Sequence, residues 1–138
     1  MAASPNRLIA TVVGAIYLLF GLIGFAVASG FAFTATSGVL LLGVVQVNNL
    51  QNVVHLIVGV ILVIVGRLEV PRAKTGNAAV GTFSLAFGLV GLFLSGSEGN
   101  ILALNGAANA VHFATAIVLL AVSLGAEKAI PSEKVSKR

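Results

Sequence analysis

Four uncharged, strongly apolar stretches dominate this chain: Leu8 to Ala28, Asn48 to Gly66, Asn77 to Leu94 and Asn105 to Leu124. Each approaches the ~20 residues that an α-helix needs to cross a ~30 Å hydrocarbon core. Four such runs in 138 residues leave little else to fold. The chain is 58% hydrophobic and only 9% charged, against about 25% charged residues in a soluble domain. A small soluble domain keeps much of its surface in water and has no way to hide this much apolar area. With lipid as solvent the difficulty disappears. The first stretch also resembles a secretory leader, with Arg7 ahead of it and Ala26, Val27 and Ala28 at its end. It is longer than the typical ~7–15-residue leader core, and its pattern recurs in the third stretch. It is therefore read as a spanning helix.

The basic residues give an orientation. Arg7 precedes the first stretch, Arg67, Arg72 and Lys74 lie between the second and third, and Lys128, Lys134, Lys137 and Arg138 follow the fourth. The connections from Ser29 to Val47 and from Ser95 to Leu104 contain no Lys or Arg. By the positive-inside bias, both termini and the central connection are expected in the cytoplasm, with the other two connections outside, in a multi-pass protein of the cell membrane. The pI of about 10.2 reflects this layout and not a nucleic-acid-binding face, since no basic stripe forms on any segment. No cysteine is present, which excludes disulfides, thiolate metal sites and a catalytic thiol. Trp is also absent, so the usual aromatic belt is weak. The first outer connection is unusual, because Phe31 to Val45 carries no charge and Val39 to Val47 is too short to span. It is expected as a strand-like or helical segment, at the interface or tucked against the bundle.

The chain contains a duplication. Gly14, Gly21 and Gly24 of the first stretch match Gly81, Gly88 and Gly91 of the third at an offset of 67 residues, with Phe20-Gly-Leu-Ile-Gly answering Phe87-Gly-Leu-Val-Gly. Asn48-x3-Asn52-x2-His55 opens the second stretch and Asn105-x3-Asn109-x2-His112 the fourth, at an offset of 57. Gly59 and Gly66 answer to Ala116 and Ser123. Two-helix repeats re-enter the membrane from the same side. The halves, about 7–67 and 75–126, are thus expected to be parallel repeats about a pseudo-two-fold axis along the membrane normal. A basic tail, 127–138, follows the membrane domain 1–126; it is expected as a plain topology determinant, the alternative being that its basic end touches anionic headgroups.

At about 100° per residue, Asn48, Asn52, His55, Gly59 and Gly66 fall within roughly 60° of one another, as do Asn105, Asn109, His112, Ala116 and Ser123. Gly14, Tyr17, Gly21 and Gly24 share one face of the first helix, and Gly81, Ser84, Gly88 and Gly91 one face of the third. Small residues let helices approach in lipid, and polar side chains bond across the gap. These seams are predicted to face inward, giving an all-α integral membrane four-helix bundle.

The doubled Asn-x3-Asn-x2-His motif, with Phe-Gly-Leu-x-Gly in the preceding helix, resembles the small actinobacterial membrane proteins grouped as domain of unknown function 4383. The likeness runs from about Arg7 to Leu124, and its most specific part is Val47, Asn48, Asn52, Val54, His55, Leu56 and Gly59. Ala108 stands where relatives tend to carry an acidic residue, and Phe113 follows His112 where Leu is usual. The resemblance implies a four-helix membrane protein and implies no activity.

The six residues Asn48, Asn52, His55, Asn105, Asn109 and His112 form the candidate site. His55 lies roughly 10 Å inward from Asn48 at 1.5 Å per residue, in the outer part of the hydrocarbon. Polar groups within a membrane raise a functional question by default. The favoured reading is structural: Asn48 and Asn105 occupy preferred helix-cap positions, and the others bond across helices at about 0.6–2 kcal/mol each. One alternative makes His55 and His112 ligands of a haem or metal in a membrane redox system; no carboxylate or thiolate completes such a site, and no cofactor is assigned. Another is a small-solute or proton pathway lined by these residues with Tyr17, Ser84 and Ser123, which four helices supply only as an oligomer. No catalytic residue is assigned: Ser37, Ser95 and Ser97 have no base beside them, and Glu98 is a lone outer carboxylate. The expected partners are the bilayer and other membrane proteins or a second copy, not nucleic acid.

Overall fold

The computed structural model describes residues 4–125, so the expected tail 127–138 lies outside the described residues. The element order is α1 (Pro5–Val27), β1 (Val39–Leu41), β2 (Val45–Val47), α2 (Asn49–Arg67), α3 (Val70–Leu94) and α4 (Gly106–Leu124). All four helices are long and apolar enough to cross a membrane. Their ends follow from local chemistry. Ser4 caps α1 by accepting from the Arg7 amide, with Pro5 in the first turn, where a missing N–H costs nothing. Asn48 and Asn105 cap α2 and α4 through their side-chain oxygens.

One expected boundary is corrected. The helix read as starting near Asn77 begins at Val70, and Arg72 and Lys74 lie within its first turns. Only Leu68 and Glu69 connect α2 to α3. Pro71 sits in the first turn and starts the helix, which then runs for nearly two polar turns before its apolar part. Hydropathy marks where a helix becomes apolar, not where it begins.

Each helix buries a seam. On α1 it is Asn6, Ala10, Gly14, Tyr17, Gly21 and Gly24, spaced three or four apart. The seven glycines of the expected seam, Gly14, Gly21, Gly24, Gly59, Gly81, Gly88 and Gly91, are all buried. α1 packs most extensively on α2, and α3 on α4. At Gly14 the approach is backbone to backbone: a Cβ there would come within 2.8 Å of the Val63 nitrogen and 2.9 Å of the Gly59 oxygen. Outside the seams the helices expose Leu, Ile, Val and Phe, as lipid requires.

The core has two parts. Tyr17, Val58, Leu62, Val80 and Leu119 fill the middle. Leu41, Val45, Val47, Leu104 and Ala108 form a second cluster where the β-hairpin meets the start of α4. The hairpin is antiparallel, pairing Val39 with Val47 and Leu41 with Val45, so part of the α1–α2 connection is strand, with its inner residues packed against the bundle. At the opposite end, near the start of α1, the Asn77 amide donates to the backbone and side-chain oxygens of Asn6, both at 3.0 Å, and Arg7 Nε donates to the Gly66 carbonyl at 3.3 Å.

Candidate functional site

The six expected residues gather at the hairpin end of the bundle and are all buried except Asn105, which is half-buried. They do three different things.

The first pair crosses between the halves. Asn48 Oδ1 accepts from the Gln51 backbone N–H at 2.8 Å, closing the cap of α2. Its Nδ2 donates to the carbonyls of Ala35, at 2.8 Å, and of Ile101, at 2.7 Å, the latter in the α3–α4 connection. Asn105 Oδ1 likewise accepts from the Ala108 N–H at 2.9 Å and also from the Gln46 N–H at 3.3 Å. Its Nδ2 donates to the Val44 carbonyl at 2.9 Å, in the hairpin. Each cap therefore holds a connection of the other half. An amide side chain suits this task because it offers an acceptor for the helix start and two donors for elsewhere.

The second pair sits on glycine. A Cβ on Gly24 would collide with Asn52 Oδ1, and a Cβ on Gly91 with Asn109 Oδ1. The oxygens thus lie against the glycine Cα–H groups, the geometry of a weak Cα–H···O contact between close helices. Asn109 Nδ2 also donates to Ser95 Oγ at 3.2 Å. Ala28 occupies the matching place in the first half, and neither side-chain polar atom of Asn52 has a hydrogen-bond partner among the described residues.

The third pair, the histidines, meets through a residue absent from the sequence-based site. Gln51 Nε2 lies 3.2 Å from His55 Nε2 and 3.2 Å from His112 Nε2. With the amide in this orientation its two hydrogens go one to each ring, and each neutral imidazole carries its proton on Nδ1. The rings stand 6.2 Å apart between centroids. Phe20 and Tyr17 pack edge-on to His55 and Phe87 to His112, at 5.9, 5.4 and 4.8 Å. Tyr17 donates its hydroxyl proton to Thr115 Oγ1 at 2.9 Å, a further tie between α1 and α4. Ser84 is buried nearby in the α3 seam, whereas Ser123 lies far along α4 and bonds the Leu120 carbonyl of its own helix.

Gln51 was hidden by the repeat itself. Its counterpart is Ala108, so a search for doubled polar residues passes over it. The usable signal was spacing: Gln51 is four residues before His55 and one turn away on the same face. Among the described residues no three His, Cys, Asp or Glu side chains come together as a metal-binding group.

These observations define a small four-helix protein able to span a membrane, with a polar cluster sealed inside one end. The chain belongs to the family described as Domain of unknown function (DUF4383), whose model matches residues 7–125. No curated protein and no solved structure matches it.

Proposed function

We propose that the chain is a non-catalytic structural or accessory component of the cell membrane, in which the doubled motif locks two parallel helix-pair repeats together. The observation that carries this reading is the reciprocal crossing, Asn48 to Ile101 and Asn105 to Val44. Polar atoms spent on holding the opposite half are not available to a substrate. The matching contacts Gly24–Asn52 and Gly91–Asn109, and Phe20–His55 and Phe87–His112, support a pseudo-two-fold axis along the membrane normal. The distribution of Lys and Arg supports cytoplasmic termini, with the hairpin end outside. Its partners are the bilayer and neighbouring membrane proteins or a second copy.

A second reading has one observation in its favour: both histidine Nε2 atoms converge on a single point. A metal there would have to displace the Gln51 amide, and a haem would need the space that Gln51, Phe20 and Phe87 fill. Thermal unfolding in mild detergent, with an absorbance spectrum and metal analysis of the purified protein, separates the two. The structural reading expects no Soret band and no stoichiometric metal, and a larger loss of melting temperature for H55A/H112A than for either single variant. Bound haem or metal, or unchanged stability in the double variant, would sink it.

A further inference from the structure

The β1–β2 hairpin has the wrong chemistry for a loop in water. Its turn residues Leu42 and Gly43 both take positive φ, +54° and +77°. Gly or Asn meets that requirement without strain, and both suit a hydrated turn. Leucine meets neither condition, yet Leu42 is 75% exposed, and its neighbours Val44 and Leu40 are also exposed. No charged residue occurs between Ser29 and Val47.

Its position points the same way. Leu41 and Leu42 lie against Ile16, Leu19, Phe20 and Ile23 of α1, around a cavity of about 210 Å³ lined only by apolar side chains. Those α1 residues are four to eleven positions before the helix end at Val27, roughly 6–16 Å along its axis at 1.5 Å per residue. Ile16, Leu19 and Ile23 are themselves exposed, so the outer wall of the cavity is continuous with the lipid-facing surface of a spanning helix.

Much of the hairpin backbone outside Leu42 and Gly43 meets the condition that lipid imposes on non-helical chain, which is that its polar groups be bonded within the protein. The strands pair with each other. At the tip, the Val44 N–H donates to the Leu41 carbonyl at 3.2 Å, and Asn105 takes both the Val44 carbonyl and the Gln46 N–H.

We infer that the hairpin is a membrane-inserted element, immersed in the leaflet at its end of the bundle, with a lipid acyl chain seated in the groove between its tip and α1. The inference rests on the reading of α1 as a spanning helix. Its inner face, Leu41, Val45 and Val47, closes the polar cluster against Leu104 and Ala108, and its outer face meets acyl chains. A protein partner is a poorer occupant. Three exposed side chains at a tip fall well short of the ~1,200–2,000 Å² buried in a stable protein interface.

The chain has no cysteine, so single labels need no background removal. L42C and V44C, and S97C in the exposed α3–α4 turn, would each carry an environment-sensitive fluorophore in lipid nanodiscs. Two quenchers are compared: iodide in water, and lipid with a nitroxide on its acyl chain. At L42C and V44C, iodide quenching is expected to be at least fivefold weaker than at S97C, with strong quenching by the acyl-chain nitroxide. Iodide quenching equal to that at S97C would place the tip in water and overturn the inference. Protection from both quenchers would mean that protein covers the tip, and would overturn it equally. A spanning α1 is checked separately by the same pair of quenchers at L22C, an exposed position outside the groove, so failure of the hairpin and failure of the membrane reading are distinguishable.

Discussion

The two halves of this protein share a scaffold and differ in how they satisfy it. In both, a cap asparagine crosses to the other half, a second asparagine rests on a glycine, and a histidine packs on a phenylalanine. Only the first half supplies Gln51, which serves both histidines, and only the second supplies Ser95, which serves Asn109. The first half has a hairpin where the second has a short turn. A duplicated chain therefore need not keep two complete copies of its interior. One donor placed between the two histidines serves both copies, and the matching position, Ala108, is apolar. Ala108 does pack among Leu41, Val45, Val47 and Leu104.

The sharpest way to break the comparison is at the matched glycines Gly14 and Gly81. A Cβ on Gly14 meets backbone on the facing helix, whereas on Gly81 it meets the side chains of Leu120, at 2.9 Å, and Leu119, at 3.2 Å. The Leu120 side chain can give by a rotamer shift, which the backbone facing Gly14 cannot. Overpacking of this kind costs about 1–3 kcal/mol, so Gly14→Ala belongs near the top of that range and Gly81→Ala near the bottom. Thermal or denaturant unfolding in detergent reads the difference. Equal losses would mean that α1–α2 and α3–α4 are equally tight.

Gln51 tests whether the shared donor matters. Gln51→Ala leaves the Nε2 atoms of His55 and His112 without their common partner. Stranding a buried acceptor costs about 1–3 kcal/mol. The converse change, Ala108→Gln, adds a polar group to an apolar cluster and is not expected to restore the Gln51→Ala protein. Once Gln51 is gone, His55→Ala should cost less than in the intact protein, because it no longer breaks that bond. A double-mutant cycle with no coupling would show that the amide and the ring are merely neighbours. The cap asparagines come next. Asn48→Ala and Asn105→Ala each remove a cap worth about 1 kcal/mol, and each frees a connection of the opposite half. Hydrogen exchange should rise around Ile101 in the first variant and around Val44 in the second. Changes confined to the variant's own half would contradict the crossing.

Much of this was legible in the sequence, and the exceptions have causes. The spans and glycine seams are periodic, and periodicity survives without coordinates. Asn48 and Asn105 were readable as caps from type and place, but their partners Ile101 and Val44 are carbonyls of the backbone, which no side-chain pattern encodes. The start of α3 at Val70 does not show in hydropathy because Arg72 and Lys74 have the character of a connection, although Pro71 suits a first helical turn. The hairpin's paired runs are three residues each, too short for a period of two to declare itself, so strand and helix look alike there in the sequence. Gln51 has no polar counterpart, since position 108 is alanine, so the duplication does not point to it however well it is placed.

The smallest expected effect is the most informative about asymmetry, because its sign is favourable. Asn52 is completely buried and has no hydrogen-bond partner for its side chain among the described residues. Its counterpart Asn109 has Ser95 Oγ, a hydroxyl that also donates to the Gly91 carbonyl at 2.8 Å. Ala28, at the corresponding end of α1, is fully buried and already donates its N–H to the Gly24 carbonyl, as Ser95 does to Gly91. Ala28→Ser copies the second half's device into the first, giving Asn52 Nδ2 an acceptor. Interhelical polar bonds in lipid average about 0.6 kcal/mol, and a gain of that order is expected, with Ser95→Ala losing a similar amount. Should Ala28→Ser destabilise instead, the first half has closed the space that the second keeps for its serine, and the unpartnered Asn52 is held by its contact with Gly24 alone.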